Sequence, residues 1–287
     1  MLANIFEEIE CRGCKTNPNI IVPSKELIEI GSFLSLLQNE SVILPKEKLR
    51  TILKSSRDFL NSTYDLHYVP FEYYKKNPFL KIQITSDTNP FSLPIKRVKD
   101  EDDFYGCLRE FITFEPNPKI TFRHIELPKR ATKLTSLSYT HEITHSQLNH
   151  MRGLIEEYYN TEVLSIFNEL LHAYHTDDQE CLLRIHDERR LSELAICINE
   201  LSKYQGTNDE EIKSVLLEGS CYCTSTLKAY NMFIRYYYGT QKIKKELRRG
   251  VQNVIDGDLT LEDELKKLDI SFENSQDIKA LRKYLNR

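Results

Sequence analysis

A chain of 287 residues with 40% hydrophobic and 29% charged side chains is long enough to bury a sizeable core and too apolar to be read as disordered. Its formal net charge of −4, from 39 Lys and Arg against 43 Asp and Glu, lacks the basic excess that would suggest nucleic acid or an anionic membrane as partner. It holds no run of about 18 apolar residues, and no basic segment followed by an apolar stretch opens it. Neither a membrane span nor a signal peptide is therefore expected, and the protein is expected to work in the cytoplasm.

Cys11 and Cys14 form a C-x-x-C near the start, and Cys221 and Cys223 a C-x-C far downstream. With Cys107, Cys181 and Cys197 the count is seven, an odd number that argues against a disulfide framework. Pairs so far apart in sequence are a weak basis for a four-thiolate zinc site. Asn17, Pro18 and Asn19 read as a turn. Ser24 suits the N-cap of a helix running to Leu37, and Pro45 sits near the first turn of a second helix over 46–60. Residues 80–85 alternate apolar and polar, as a half-buried strand does. Asp100 to Asp103 is a short acidic run expected to be solvated. Residues 103–114 read as a helix stopped by Pro116 and Pro118, and 119–127 as a second alternating strand.

From about Ala131 the helical period dominates. Helices are expected over 135–150, 153–175, 178–204, 208–238, 240–255, 260–268 and 276–286, with breaks near Gly206, Gly239 and Gly257. Lys242, Lys244, Lys245, Arg248 and Arg249 are expected to line a solvated helix face. The fold class expected is α+β, predominantly helical. An N-terminal lobe of helices and a few strands spans 1–128, a helical half spans 129–287, and the site lies in the cleft between them.

The chemistry sits in His141-Glu142-Ile143-Thr144-His145. Histidines four apart share a helix face and can grip one metal ion. Imidazole suits zinc, and a catalytic zinc takes three protein ligands and keeps a fourth position open. Glu142, beside the first histidine, is placed to take a proton from water and pass it to a leaving amine. A third ligand is required, and the segment from Asn160 to Glu169 offers Glu162 and Glu169, which lie on one helix face with Ser165 between them. A helix starting near Thr161 would put Glu162 in its first turn, facing the motif helix. Both glutamates are candidate third ligands.

This pairing of His-Glu-x-x-His with a following Glu-Val-x-Ser-x-x-Asn-Glu resembles the oligoendopeptidase F and thimet oligopeptidase family of zinc peptidases, within the wider glutamate-zincins. The resemblance covers roughly residues 139–170. It implies Zn2+ as cofactor, His141, His145 and Glu162 as ligands, Glu142 as general base, and a peptide or protein as substrate. The link between the two motifs is several residues shorter than in the family, the chain is about half the usual length, and Thr144 replaces a common glycine. Tyrosines of a later helical segment reach the zinc site in those oligopeptidases, which makes Tyr222 and Tyr230 the candidate oxyanion donors. His172 and His175 follow Glu169 and could reach the cleft as donors or as partners orienting a ligand. His150 is rotated off the motif face, and His67, His124 and His186 read as structural. The function expected is zinc-dependent peptide hydrolysis. The alternative is a non-catalytic zincin-like module that engages a protein partner.

Overall fold

The computed structural model describes residues 25–35, 46–66, 69–77, 80–88, 95–98, 107–115, 117–148, 158–203, 210–256, 261–267 and 275–287, with some of their side chains excepted. Among them the fold is predominantly helical, an α-dominant α+β arrangement. In chain order the helices are α1 (Lys25–Ser35), α2 (Leu49–Thr63), α3 (Lys133–Leu148), α4 (Tyr158–Tyr174), α5 (Gln179–Lys203), α6 (Glu210–Tyr238), α7 (Gln241–Asp256), α8 (Leu261–Lys267) and α9 (Ser275–Leu285). The strands are β1 (Val69–Asn77), β2 (Leu80–Thr88), β3 (Ile95–Val98), β4 (Cys107–Glu115) and β5 (Asn117–Pro128).

β1 and β2 form an antiparallel pair, and a second sheet has the order β3-β5-β4, with β3 parallel and β4 antiparallel to β5. The helix expected over 103–114 is corrected here: Cys107–Glu115 is a strand along its whole length. Its apolar residues recur three and four apart, a helical spacing. The run Phe111-Ile112-Thr113-Phe114 nonetheless favours a pleated backbone, and pairing with β5 satisfies its backbone groups. β5 leads through a short link into α3, and α3 contacts both β4 and β5.

α4 is the central helix, packed against α3, α5 and α6. Every residue from Val163 to Ala173 is buried, as its apolar run (Val163, Leu164, Ile166, Phe167, Leu170, Leu171) requires. Burying each large apolar side chain contributes about 1.5–3 kcal/mol. Leu34 of α1, Phe59 and Leu60 of α2 and Tyr284 of α9 join the same core. α1 lies against α5 so closely that a Cβ at Gly31 would fall 2.6 Å from Ile198 Cγ2. Gly239 separates α6 from α7 as expected, and a Cβ there would meet the Arg235 carbonyl oxygen at 2.3 Å. The turn at 17–19, Cys11, Cys14, the acidic run at 100–103, Gly206 and Gly257 lie outside the described residues.

α3 is unusual in composition. Thr135 to Gln147 are all buried, although most are polar. Several hydroxyls bond back along the helix: Ser136 to Lys133 O (2.6 Å), Thr144 to Thr140 O (2.9 Å) and Ser146 to Ile143 O (2.7 Å). Serine and threonine can close such bonds locally, so a polar helix can sit inside a core without orphaned hydroxyls. At its start the Thr132 N–H donates to Thr135 Oγ1 (3.1 Å), half of a capping box. The preceding turn is pinned to the chain before α2, where Glu47 N–H donates to Ala131 O (3.0 Å). Ser56 of α2 adds a bond to Ser136 O (2.7 Å). The motif helix is thus held by α2 as well as by its partner α4.

Candidate metal centre

His141 and His145, one turn apart on α3, turn their rings toward each other, with Nε2 atoms 2.9 Å apart. Glu162 on α4 brings its carboxylate to both: Oε1 lies 3.1 Å from His145 Nε2 and Oε2 lies 3.4 Å from His141 Nε2. α4 begins at Tyr158, so Glu162 is in its second turn and not its first. His141, Glu142 and His145 offer ligand atoms within 4.8 Å of one another, all three are buried, and together they could hold a metal ion.

The donor set suits a small divalent cation. Donors about 2.0–2.1 Å from a tetrahedral ion stand roughly 3.3 Å from one another. Edges of 2.9, 3.1 and 3.4 Å between His141 Nε2, His145 Nε2 and the Glu162 oxygens fall around that value. Each imidazole also has an outer partner that leaves Nε2 facing inward. His145 Nδ1 lies 2.9 Å from Thr161 Oγ1. His141 Nδ1 lies 2.6 Å from Glu169 Oε1, off the line of its ring N–H.

Glu169 therefore stands behind His141, and Glu162 faces the Nε2 atoms of both histidines. Glu169 is fully buried and gathers donors from α5. Arg190 Nη2 reaches Oε1 at 2.6 Å and Arg190 Nε reaches Oε2 at 3.3 Å, a two-pronged contact, and His186 Nε2 also meets Oε2. Burial alone would raise the Glu169 carboxyl, but Arg190 and His141 outweigh it and hold it well below the usual carboxylate range. Burial likewise opposes ionisation of Glu162, and His145 and His141 bring it down to about 2. His141 shows the reverse: burial disfavours its charge, yet Glu169, Glu162 and Glu142 raise it to about 9. Three carboxylates around two imidazoles make a locus that favours positive charge, whether proton or divalent cation.

Those of the remaining sequence candidates whose side chains are described fall elsewhere. Tyr230 is buried on α6, where its hydroxyl donates to Asp187 Oδ1 (2.9 Å) and lies 3.3 Å from His186 Nδ1. Its hydrogen-bonding route to the cluster runs through His186 and Glu169. Tyr222 is on α6, but its side chain lies outside what the structure describes. His172 is a brace: Nδ1 lies 2.8 Å from Thr140 Oγ1 and Nε2 lies 2.9 Å from Ser55 Oγ, with the ring stacked on Phe59. His175 is exposed and bonds Tyr236 OH at 2.9 Å. His67, His150 and the side chains of His124, Cys107 and Cys221 lie outside the described residues, and Cys223 is buried with its thiol against Cys197.

Sequence reasoning read His186 as structural and missed Asp187 and Arg190. Their signal lies in α5 itself, where they interrupt a buried stripe of Leu182, Leu183, Leu191, Leu194 and Ile198 at helical spacing. Polar residues at core-facing positions of a helix point to a buried partner.

No helix among the described residues is long and apolar enough to cross a membrane. Comparison with protein-family models, with characterised proteins and with solved structures gives no match.

Proposed function

We propose that the chain is a zinc-dependent metallopeptidase with a zincin-like active site, in which His141, His145 and Glu162 hold the metal and Glu142 is the general base. The observation that carries this reading is the convergence of two Nε2 atoms and one carboxylate at 2.9–3.4 Å, from two neighbouring helices. Zinc at such a site supplies a Lewis acid that acidifies water and polarises a carbonyl. Glu142, next to His141 and buried with it, takes the proton from water and returns it to the departing amine. Glu169 fixes the His141 ring, and Thr161 fixes that of His145. The substrate class that fits is a peptide or protein.

Metal analysis of the purified protein tests the reading directly. About one zinc per chain is expected in the wild type and none in His141→Ala. Glu142→Gln is expected to keep the zinc and lose peptide hydrolysis by a factor of about 100 or more. Zinc that survives His141→Ala would overturn the ligand assignment. The depth of the cluster supports a second reading, a non-catalytic metal-stabilised module that engages a protein partner: His141, Glu142 and His145 are each no more than 5% exposed. On that reading Glu142→Gln changes no activity.

A further inference from the structure

We propose that Tyr284 and Arg287, at the end of α9 and just beyond it, are positioning residues of the metal centre, acting through Asp187, Tyr230 and His186 on the carboxylate of Glu169. The proposal rests on the reading of His141, His145 and Glu162 as ligands and extends it to a helix remote in sequence.

The contacts form one continuous chain. Tyr284 OH donates to Asp187 Oδ2 at 3.0 Å, and Arg287 Nη2 reaches the same oxygen at 2.8 Å. Tyr230 OH donates to the other oxygen, Oδ1, at 2.9 Å. Donors on both oxygens fix the plane of the Asp187 carboxylate. The Tyr230 hydroxyl also lies 3.3 Å from His186 Nδ1. The opposite ring nitrogen of His186 meets Glu169, whose other oxygen faces His141.

Filling space does not account for this arrangement. Tyr284, Tyr230, His186 and Asp187 are each at most 6% exposed, and apolar side chains would fill the same volume without the cost of desolvating four polar groups. α9 also packs on α6, the helix that carries Tyr230. Its position is therefore read out at two points of the same network. Orientation of outer partners matters to a metal centre, since changes there typically weaken metal binding about 10–100-fold.

The test uses the full chain. Tyr284→Phe removes one oxygen and leaves the ring packed on Tyr230, Phe233 and Tyr237, with centroids 6.4, 5.7 and 5.6 Å away. Asp187→Asn keeps the shape and withdraws the charge. Tyr237→Phe alters the same aromatic cluster without a hydrogen bond to Asp187 and serves as control. Two readouts are taken: imidazole resonances of the metal-free, 15N-histidine-labelled protein, and zinc affinity by competition with a chromophoric chelator. In Tyr284→Phe and Asp187→Asn the His186 and His141 resonances are expected to move and zinc affinity to fall about 3–30-fold. The control is expected to move neither.

Unmoved His141 resonances in folded Tyr284→Phe and Asp187→Asn would overturn the proposal, whatever their melting temperatures and even if the wild type binds zinc. A wild type that takes up no zinc, with His141 resonances that still move in the variants, would instead retain the linkage and sink the peptidase reading.

Discussion

Glu169 shows how little a residue's type says about its task. It carries the same carboxylate as Glu162, seven positions earlier on the same helix, yet one faces the Nε2 atoms of the histidine pair and the other is enclosed by Arg190, His186 and His141. Glu169→Gln should therefore do two things. Zinc affinity should fall about 10–100-fold as the His141 ring loses its anchor. Urea denaturation should show a loss of about 2–5 kcal/mol, because buried Arg190 loses its two-pronged carboxylate partner and keeps the more distant Glu193 at 3.8 Å. Unchanged affinity with reduced stability would make Glu169 a fold element only. His172 provides a pH test at the same scale. Burial, with help from His175, pulls it from 6.5 down to about 4, so it is neutral in the folded protein. Between those two values the unfolded chain binds more protons, and stability rises with pH. The contribution is complete above about 6.5 and lost as pH falls toward 4, worth about 3 kcal/mol. With chelator present in both samples, the wild type should lose more stability between pH 7 and 4.5 than His172→Gln does. Equal losses would refute the assignment.

At the scale of elements, α3 and α4 form the site because each supplies what the other lacks. α3 brings the two histidines but is polar along its length, and α4 brings the apolar surface that buries it together with Glu162. Asn168 stitches them further: its Nδ2 donates to Thr144 Oγ1 at 3.1 Å, while Tyr64 OH donates to its Oδ1 at 2.7 Å. The approach of α1 to α5 is the element contact most easily tested. In Gly31→Ala the added methyl would meet the branched Ile198 side chain, at a cost of about 1–3 kcal/mol. The double variant Gly31→Ala, Ile198→Ala should recover part of that loss, and simple addition of the two costs would show that the contact relaxes freely.

For the whole molecule, the site draws on both ends of the described chain. α2 braces α3 through Ser56, and Tyr284 and Arg287 reach Asp187. Metal binding is therefore expected to stabilise the entire fold and not one loop. Addition of a strong chelator should lower the melting temperature of the wild type, reflecting a loss of about 4 kcal/mol when free zinc had been near a thousand times its Kd. His145→Ala should already melt lower and should not respond to the chelator. An equal response in both would place the stabilising ion elsewhere.

Local patterns determined much of this. The helices from α3 to α9 lie within a few residues of their hydrophobic periods, because period and cap chemistry are properties of a short window. The motif was legible for the same reason: a four-residue spacing on a helix places His141 and His145 on one face. The short intervening stretch made α3 and α4 expected neighbours, and the preference for Glu162 over Glu169 came from the family resemblance. What only the tertiary structure decided depends on long-range placement. β4 became a strand because β5 was there to pair with it. Glu169 was assigned behind His141, and Tyr230 behind His186, only once α5 lay beside α4. No spacing in the sequence relates Arg287 to Asp187, a hundred residues away, since the contact exists only after α9 has docked on α6. Sequence periodicity specifies the face a residue occupies, and the partner across that face is set by how the helices pack.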